Sequence, residues 1–179
     1  MLKFTLYSLD TAPTDAKPLL ENSIKSFGML PNLHAVMAEC PQLLNSYQQA
    51  HNLFQSTSFN NEELTVVWQT INIEHNCHYC IPAHTAIAHM MEVDKAIIAS
   101  LLNSTPLDNN KLETLRITTL AMVRNRGELS TIELENFFDA GYGKQQLLEI
   151  VLGISQKIMS NYTNHLANTP VDEPFKAFM

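Results

Sequence analysis

Charge, glycine and basic clusters are all scarce in this chain. Of its 179 residues 16% are charged, and the 11 lysines and arginines are scattered, leaving a net charge of −7. Without a basic patch there is no footprint for a phosphate backbone, so nucleic acid is not an expected partner. Only 5 residues are glycine. No stretch alternates apolar and polar residues for long enough to make a strand, which argues against a sheet. No apolar run reaches the length of a membrane span. The segment from Met1 to Asp10 lacks the long apolar core of a secretion signal. Three cysteines are too few to staple a chain of this length, which can bury a core without them. These absences lead us to expect a cytoplasmic protein with no membrane contact. In a reducing compartment a close cysteine pair is more often catalytic or metal-binding than structural.

What the chain does have is helix-forming sequence. Hydrophobic residues make up 45% of it, and that share beside so little charge suggests surface covered by further subunits, hence a homo-oligomer. Residues 1–13 read as an extended arm, 14–172 as one all-α domain and 173–179 as a tail. Helices are predicted from Thr14 to Ser26 with Gly28 as the stop, from Pro31 to Ala38, and from Pro41 to about Phe54. Asn60-Asn61-Glu62-Glu63 caps the next, which ends near Asn76. Further helices follow from about Tyr79 to Met91, Asp94 to Leu102 and Asp108 to Arg124. The capping box Ser130-Thr131-Ile132-Glu133 opens one to Ala140, and the last spans Lys144 to about Ala167.

One stretch carries chemistry: Cys77-His78-Tyr79-Cys80-Ile81-Pro82-Ala83-His84. On a helix, thiols three apart and a histidine four beyond the second share one face. Proline is tolerated only in a helix's first turn, so Pro82 places a helix start at about Tyr79. The cysteines then sit where one helix ends and the next begins, and the new N-terminus lowers a thiol pKa from its reference of about 8.5. A thiolate, a base and a second thiol are what a redox-active pair needs. Cys80, one turn from His84, is the expected attacking thiol, with Cys77 resolving the oxidised sulfur. A zinc site would need a fourth ligand from His78 or Glu74, and adjacent motif residues rarely close a tetrahedron.

Cys77-His78-Tyr79-Cys80 with His84-Thr85-Ala86-Ile87-Ala88 resembles the carboxymuconolactone decarboxylase-like family, specifically its AhpD-like alkylhydroperoxidase branch. Val66-Val67-Trp68-Gln69-Thr70, Phe137-Phe138-Asp139-Ala140-Gly141-Tyr142 and Leu148-Glu149-Ile150-Val151-Leu152-Gly153 extend the likeness over roughly residues 20–172. The resemblance implies an all-α fold assembled as trimers or hexamers and a thiol peroxidase that needs no cofactor. Its substrate would be a hydroperoxide, and its reductant a lipoyl-bearing or thioredoxin-like dithiol protein. It implies catalytic roles for Cys80, Cys77 and His84. The branch often carries a relay glutamate twelve residues before the first cysteine, where this chain has Thr65. Glu74 is therefore the expected substitute, its loss predicted to slow the thiol at least about tenfold. The competing readings are lactone decarboxylation, which does not depend on a paired cysteine, and a non-enzymatic redox-sensing oligomer. Among the remaining residues, Cys40 reads as a core or half-buried thiol. His75, His78 and His89 read as packing or surface residues. His165 with Asn161 and Tyr162 could reach the site from the last helix, but packing at its end is the first reading.

Overall fold

The computed structural model describes residues 3–179, so the first two residues of the expected arm lie outside it. Nine α-helices form, and no strand occurs among the described residues. A 3-10 turn at Thr14–Ala16 leads into α1 (Lys17–Phe27), which Gly28 ends in the left-handed region at φ 70°. Then come α2 (Asn32–Met37), α3 (Pro41–Gln55), α4 (Asn61–Glu74) and α5 (Cys80–Met90). They are followed by α6 (Lys95–Leu102), α7 (Asn110–Arg124), α8 (Thr131–Asp139) and α9 (Lys144–Ala167). Each lies within a few residues of its predicted place.

The central element is α4. Asn60 caps it by accepting the Glu63 N–H at 3.0 Å, while Glu63 returns a carboxylate to the Asn60 N–H. From Glu63 to Asn72 every residue is buried, the pattern of a helix enclosed on all sides. Helices α5, α6, α7 and α9 pack around it. Trp68, Ile71, Leu115, Phe137 and Ile150 centre the main apolar cluster. Gly153 of α9 permits the tight approach there, because a Cβ would lie 2.7 Å from the Phe54 ring.

A second apolar cluster surrounds the cysteine pair and draws on both ends of the chain. It joins Ala12, Ala16, Leu20, Leu33 and Met37 with Cys77, Tyr79 and Cys80, and Val171 and Phe175 pack on it. The expected tail folds as a 3-10 segment at Glu173–Phe178. It packs against α5, with Phe175 set edge-on to Tyr79 and Phe178 stacked on His89. Just ahead of it, Asp172 accepts the Asn32 N–H at 3.0 Å and the Tyr79 hydroxyl. His78 bonds the Thr169 carbonyl at 2.9 Å. Cys40 corrects its expected burial: it is exposed, because it caps α3 at the corner after α2 with its sulfur turned to Gln42.

Helix α9 presents two stripes. Ile150, Gly153, Lys157, Ser160, Asn161 and Asn164 face inward, whereas Leu148, Val151, Tyr162 and Leu166 are exposed. The polar stripe lies inside and much of the apolar one faces outward, the reverse of an ordinary surface helix.

Candidate active site

Asn76 adopts φ 49°, the left-handed stop expected after α4, and the chain turns through Cys77 so that Cys80 becomes the first residue of α5. Pro82 then occupies the first turn, as its chemistry requires. The Cys80 N–H donates to the Cys77 sulfur at 3.2 Å, and both sulfurs are free and buried. Two amides from α9 reach the Cys80 sulfur: Asn161 Nδ2 and Asn164 Nδ2 each donate to it at 3.2 Å. Asn161 also donates to Asn72 at 3.1 Å and takes a bond from His75 Nδ1 at 3.0 Å, which fixes its orientation.

Lys157, also on α9, is buried to 1% exposure and places its Nζ 2.8 Å from His84 Nε2. With Lys157 as an ammonium, which can only donate, His84 accepts at Nε2 and carries its proton on Nδ1, a buried nitrogen with no partner. Burial and then the Lys157 charge hold the His84 pKa well below its ordinary value, so this imidazole is neutral at neutral pH. The indole of Trp68 packs on it with ring centroids 4.9 Å apart and is itself fixed by a bond to Gln156 at 3.0 Å.

The two thiols are driven apart in acidity. Burial pushes Cys80 up, but the Cys77 S–H, the Lys157 charge, Asn164 and Ser160 overcome it and bring the pKa down to about 6. Cys77 is pushed strongly up, first by its hydrogen bond to Cys80, then by burial and the Cys80 charge. Cys80 is therefore the more acidic of the two thiols. Burial lowers the Lys157 pKa, and the two sulfurs work against that shift by favouring the charged amine. Such a set can act as a nucleophile with its resolving partner in contact and a proton store alongside.

Of the four residues singled out in the sequence, Cys77, Cys80 and His84 come together here. No hydrogen bond joins His84 to either sulfur; its ring nitrogen turns to Lys157 instead. The structure does not bring Glu74 to them. Its carboxylate is held by the exposed Arg124 of α7 through two bonds of 2.8 and 2.9 Å. The expected tenfold effect is accordingly revised: Glu74→Gln should change the peroxide reactivity of Cys80 by less than about twofold, because an exposed ion pair of this kind contributes little. A stopped-flow rate reduced tenfold or more would restore the carboxylate relay. Thr65 is buried on α4. Of the three residues weighed at the end of the last helix, Asn161 is the one that reaches the site, binding Cys80 where helix-end packing was the first reading, whereas Tyr162 and His165 are exposed. Lys157 and Asn164 went unmarked in the sequence. Among the described residues no three His, Cys, Asp or Glu side chains converge as a metal site.

The arrangement of helices is one seen before. No protein-family model and no curated protein matches the chain, but solved structures match it over almost its full length. An alkylhydroperoxidase AhpD core, an uncharacterized peroxidase-related protein from Ralstonia eutropha JMP134, is 16% identical with a TM-score of 0.75, covering 98% of this chain and 96% of its own. A peroxidase-related protein from Silicibacter sp. TM1040 is 18% identical with a TM-score of 0.79, covering 97% and 95%. A cysteine-to-alanine variant of the debrominase Bmp8, in complex with 2,3,4-tribromopyrrole, is 16% identical with a TM-score of 0.79, covering 99% and 96%. The fold is AhpD-like and all-α. At these identities the likeness is one of fold.

Proposed function

We propose that the protein is a dithiol peroxidase that reduces hydroperoxides through a Cys77–Cys80 cycle, in antioxidant defence. The observation that carries this reading is the Cys80 sulfur, which receives two side-chain N–H groups and the field of a buried lysine. Hydrogen bonds and charge of that sign favour a thiolate over a thiol. The thiolate attacks the distal oxygen of the hydroperoxide, the O–O bond breaks, and the departing alkoxide takes a proton from the Lys157 ammonium. Cys80 is left as a sulfenic acid. Cys77 then attacks its sulfur, giving up its proton to Lys157 and expelling hydroxide, which leaves as water once protonated. The product is the Cys77–Cys80 disulfide, which a lipoyl-bearing or thioredoxin-like dithiol protein reopens. His84 holds the Lys157 amine in place and shares its proton.

One turnover without dithiol, and continued turnover with it, is the expected result of titrating the protein with peroxide. Mass spectrometry should show the peptide carrying both cysteines lighter by two hydrogens. Inertness to peroxide alongside bromide release from 2,3,4-tribromopyrrole would transfer the thiol pair to debromination, the chemistry that the debrominase neighbour's name gives it.

Assembly is part of the same reading. The exposed Leu148, Val151, Tyr162 and Leu166 line one side of α9, a run of apolar surface suited to a neighbouring copy. Light scattering should find a trimer or hexamer, and a stable 20.2 kDa monomer at micromolar concentration would refute it.

A further inference from the structure

Cys80 is 2% exposed, so any substrate must reach it through the protein. Between α1 and α3 lies a cleft of about 170 Å³ that the thiol cycle does not use. Four rings wall it. Phe27 stands edge-on to His34 with centroids 5.5 Å apart, His34 edge-on to Tyr47 at 5.5 Å, and Tyr47 stacks toward His51 at 6.2 Å. At the floor, His51 lies flat on the Trp68 indole at 5.4 Å and 12°. That imidazole is only 9% exposed, and its Nδ1 is buried with no partner. A buried polar atom left unbonded is costly, and a ligand that bonds it removes the cost.

The lining has a second property. Asn22, Gln48, Asn52 and Gln55 supply amides around the rings, and no Asp, Glu, Lys or Arg lines the cleft. Burial lowers the pKa of His34 to about 3 and of His51 to about 4, so both are neutral as well. A charged ligand would find no counter-ion there, whereas a flat uncharged one would find rings to pack against and a hydrogen bond at the end.

Tyr47 connects the cleft to the chemistry. One side of its ring faces His34 and His51, and it belongs to the apolar cluster that encloses Cys77 and Cys80. Its hydroxyl end lies against Gln156 and Ser160, and Ser160 in turn lies against Cys80. Tyr47 is thus shared by the cleft wall and the cluster around the sulfurs. We propose that the cleft between α1 and α3 is the substrate entrance to Cys80 and that it admits an uncharged, ring-bearing small molecule, walled by Phe27, His34 and Tyr47 and hydrogen-bonded by His51. The proposal rests on the thiol reading above, to which it adds the class of substrate.

The test uses the unreactive alcohol 2-phenylpropan-2-ol as probe and iodoacetamide as the thiol reagent, with the exposed Cys40 as internal control. Alkylation of each cysteine is followed by mass spectrometry. Saturating probe should slow Cys80 alkylation at least about fivefold and leave Cys40 unchanged, and Phe27→Ala should weaken the protection by a similar factor. Benzoate, of similar size but charged, should protect far less. Cys80 alkylation that ignores the probe, protection undiminished in Phe27→Ala, or no alkylation of native Cys80 at all would overturn the proposal. Protection needs no turnover. A chain that shows it yet consumes no peroxide therefore refutes the peroxidase reading and not the entrance.

Discussion

Lys157→Met should raise the Cys80 pKa from about 6 to its reference of about 8.5 or above. It should also slow peroxide consumption at pH 7 at least about a hundredfold, the scale on which a preorganised electrostatic partner contributes. Methionine keeps the length and burial of the side chain, so the change removes charge and leaves packing. A buried charge replaced by an apolar chain of similar volume is often neutral or stabilising to a fold, and the rate loss should therefore come without loss of structure. Thiolate absorbance near 240 nm gives the pKa directly. The pH dependence supplies a second reading. A thiol whose folded pKa lies below its unfolded value adds stability that is complete above about 8.5 and is lost as pH falls through the folded value. The wild type should thus gain stability between pH 6 and 8.5, a slope that Lys157→Met flattens. An unchanged absorbance titration would remove Lys157 from the site.

Cys80→Ser should abolish peroxide reduction, and Cys77→Ser should permit one oxidation per subunit, trapped as a sulfenic acid by a dimedone-type reagent. The asymmetry follows from the hydrogen bonds: both α9 amides reach Cys80, while Asn164 is 4.0 Å from the Cys77 sulfur. Cys77→Ser should also shift the Cys80 titration modestly, since a serine hydroxyl still donates to the thiolate, whereas Cys77→Ala should raise it further. Trapping on Cys77 in Cys80→Ser, with none on Cys80 in the reverse variant, would exchange the two roles.

The parts of this molecule that were legible in sequence are those fixed by local backbone chemistry. Pro82 confined a helix start to a window of a few residues, and Cys80 begins α5. Asn76 could stop α4 because asparagine tolerates left-handed geometry. Asn60 announced its helix as an N-terminal cap and Ser130 did so through a capping box. The thiols and His84 share one short segment, so their proximity was likewise local. Lys157, Asn161 and Asn164 lie 73 to 87 residues from His84, Cys80 and Cys77, and nothing local says which face of α9 turns inward. A signal was present nonetheless. Lys157, Ser160, Asn161 and Asn164 repeat at helical spacing, opposite a set of leucines and valine. A polar stripe that regular reads as solvated until some other surface takes the apolar side. Glu74 failed for the complementary reason: closeness in sequence to Cys77 says little once the chain turns at Asn76 and Arg124 of α7 takes the carboxylate.

The dependence of Cys80 on α9 has a meaning for the chain as it is made. During synthesis the cysteine motif leaves the ribosome more than sixty residues ahead of Lys157. Until the last helix docks, neither the amides nor the ammonium is present, and Cys80 is an ordinary thiol with a pKa of about 8.5, protonated in the main at neutral pH. The residues after α9 add a further cover, since Asp172 bonds Asn32 across 140 positions and Val171 and Phe175 pack on the cluster around the motif. On the thiol reading proposed above, a chain without α9 in place lacks the groups that lower the Cys80 pKa. Maturation itself arms the nucleophile.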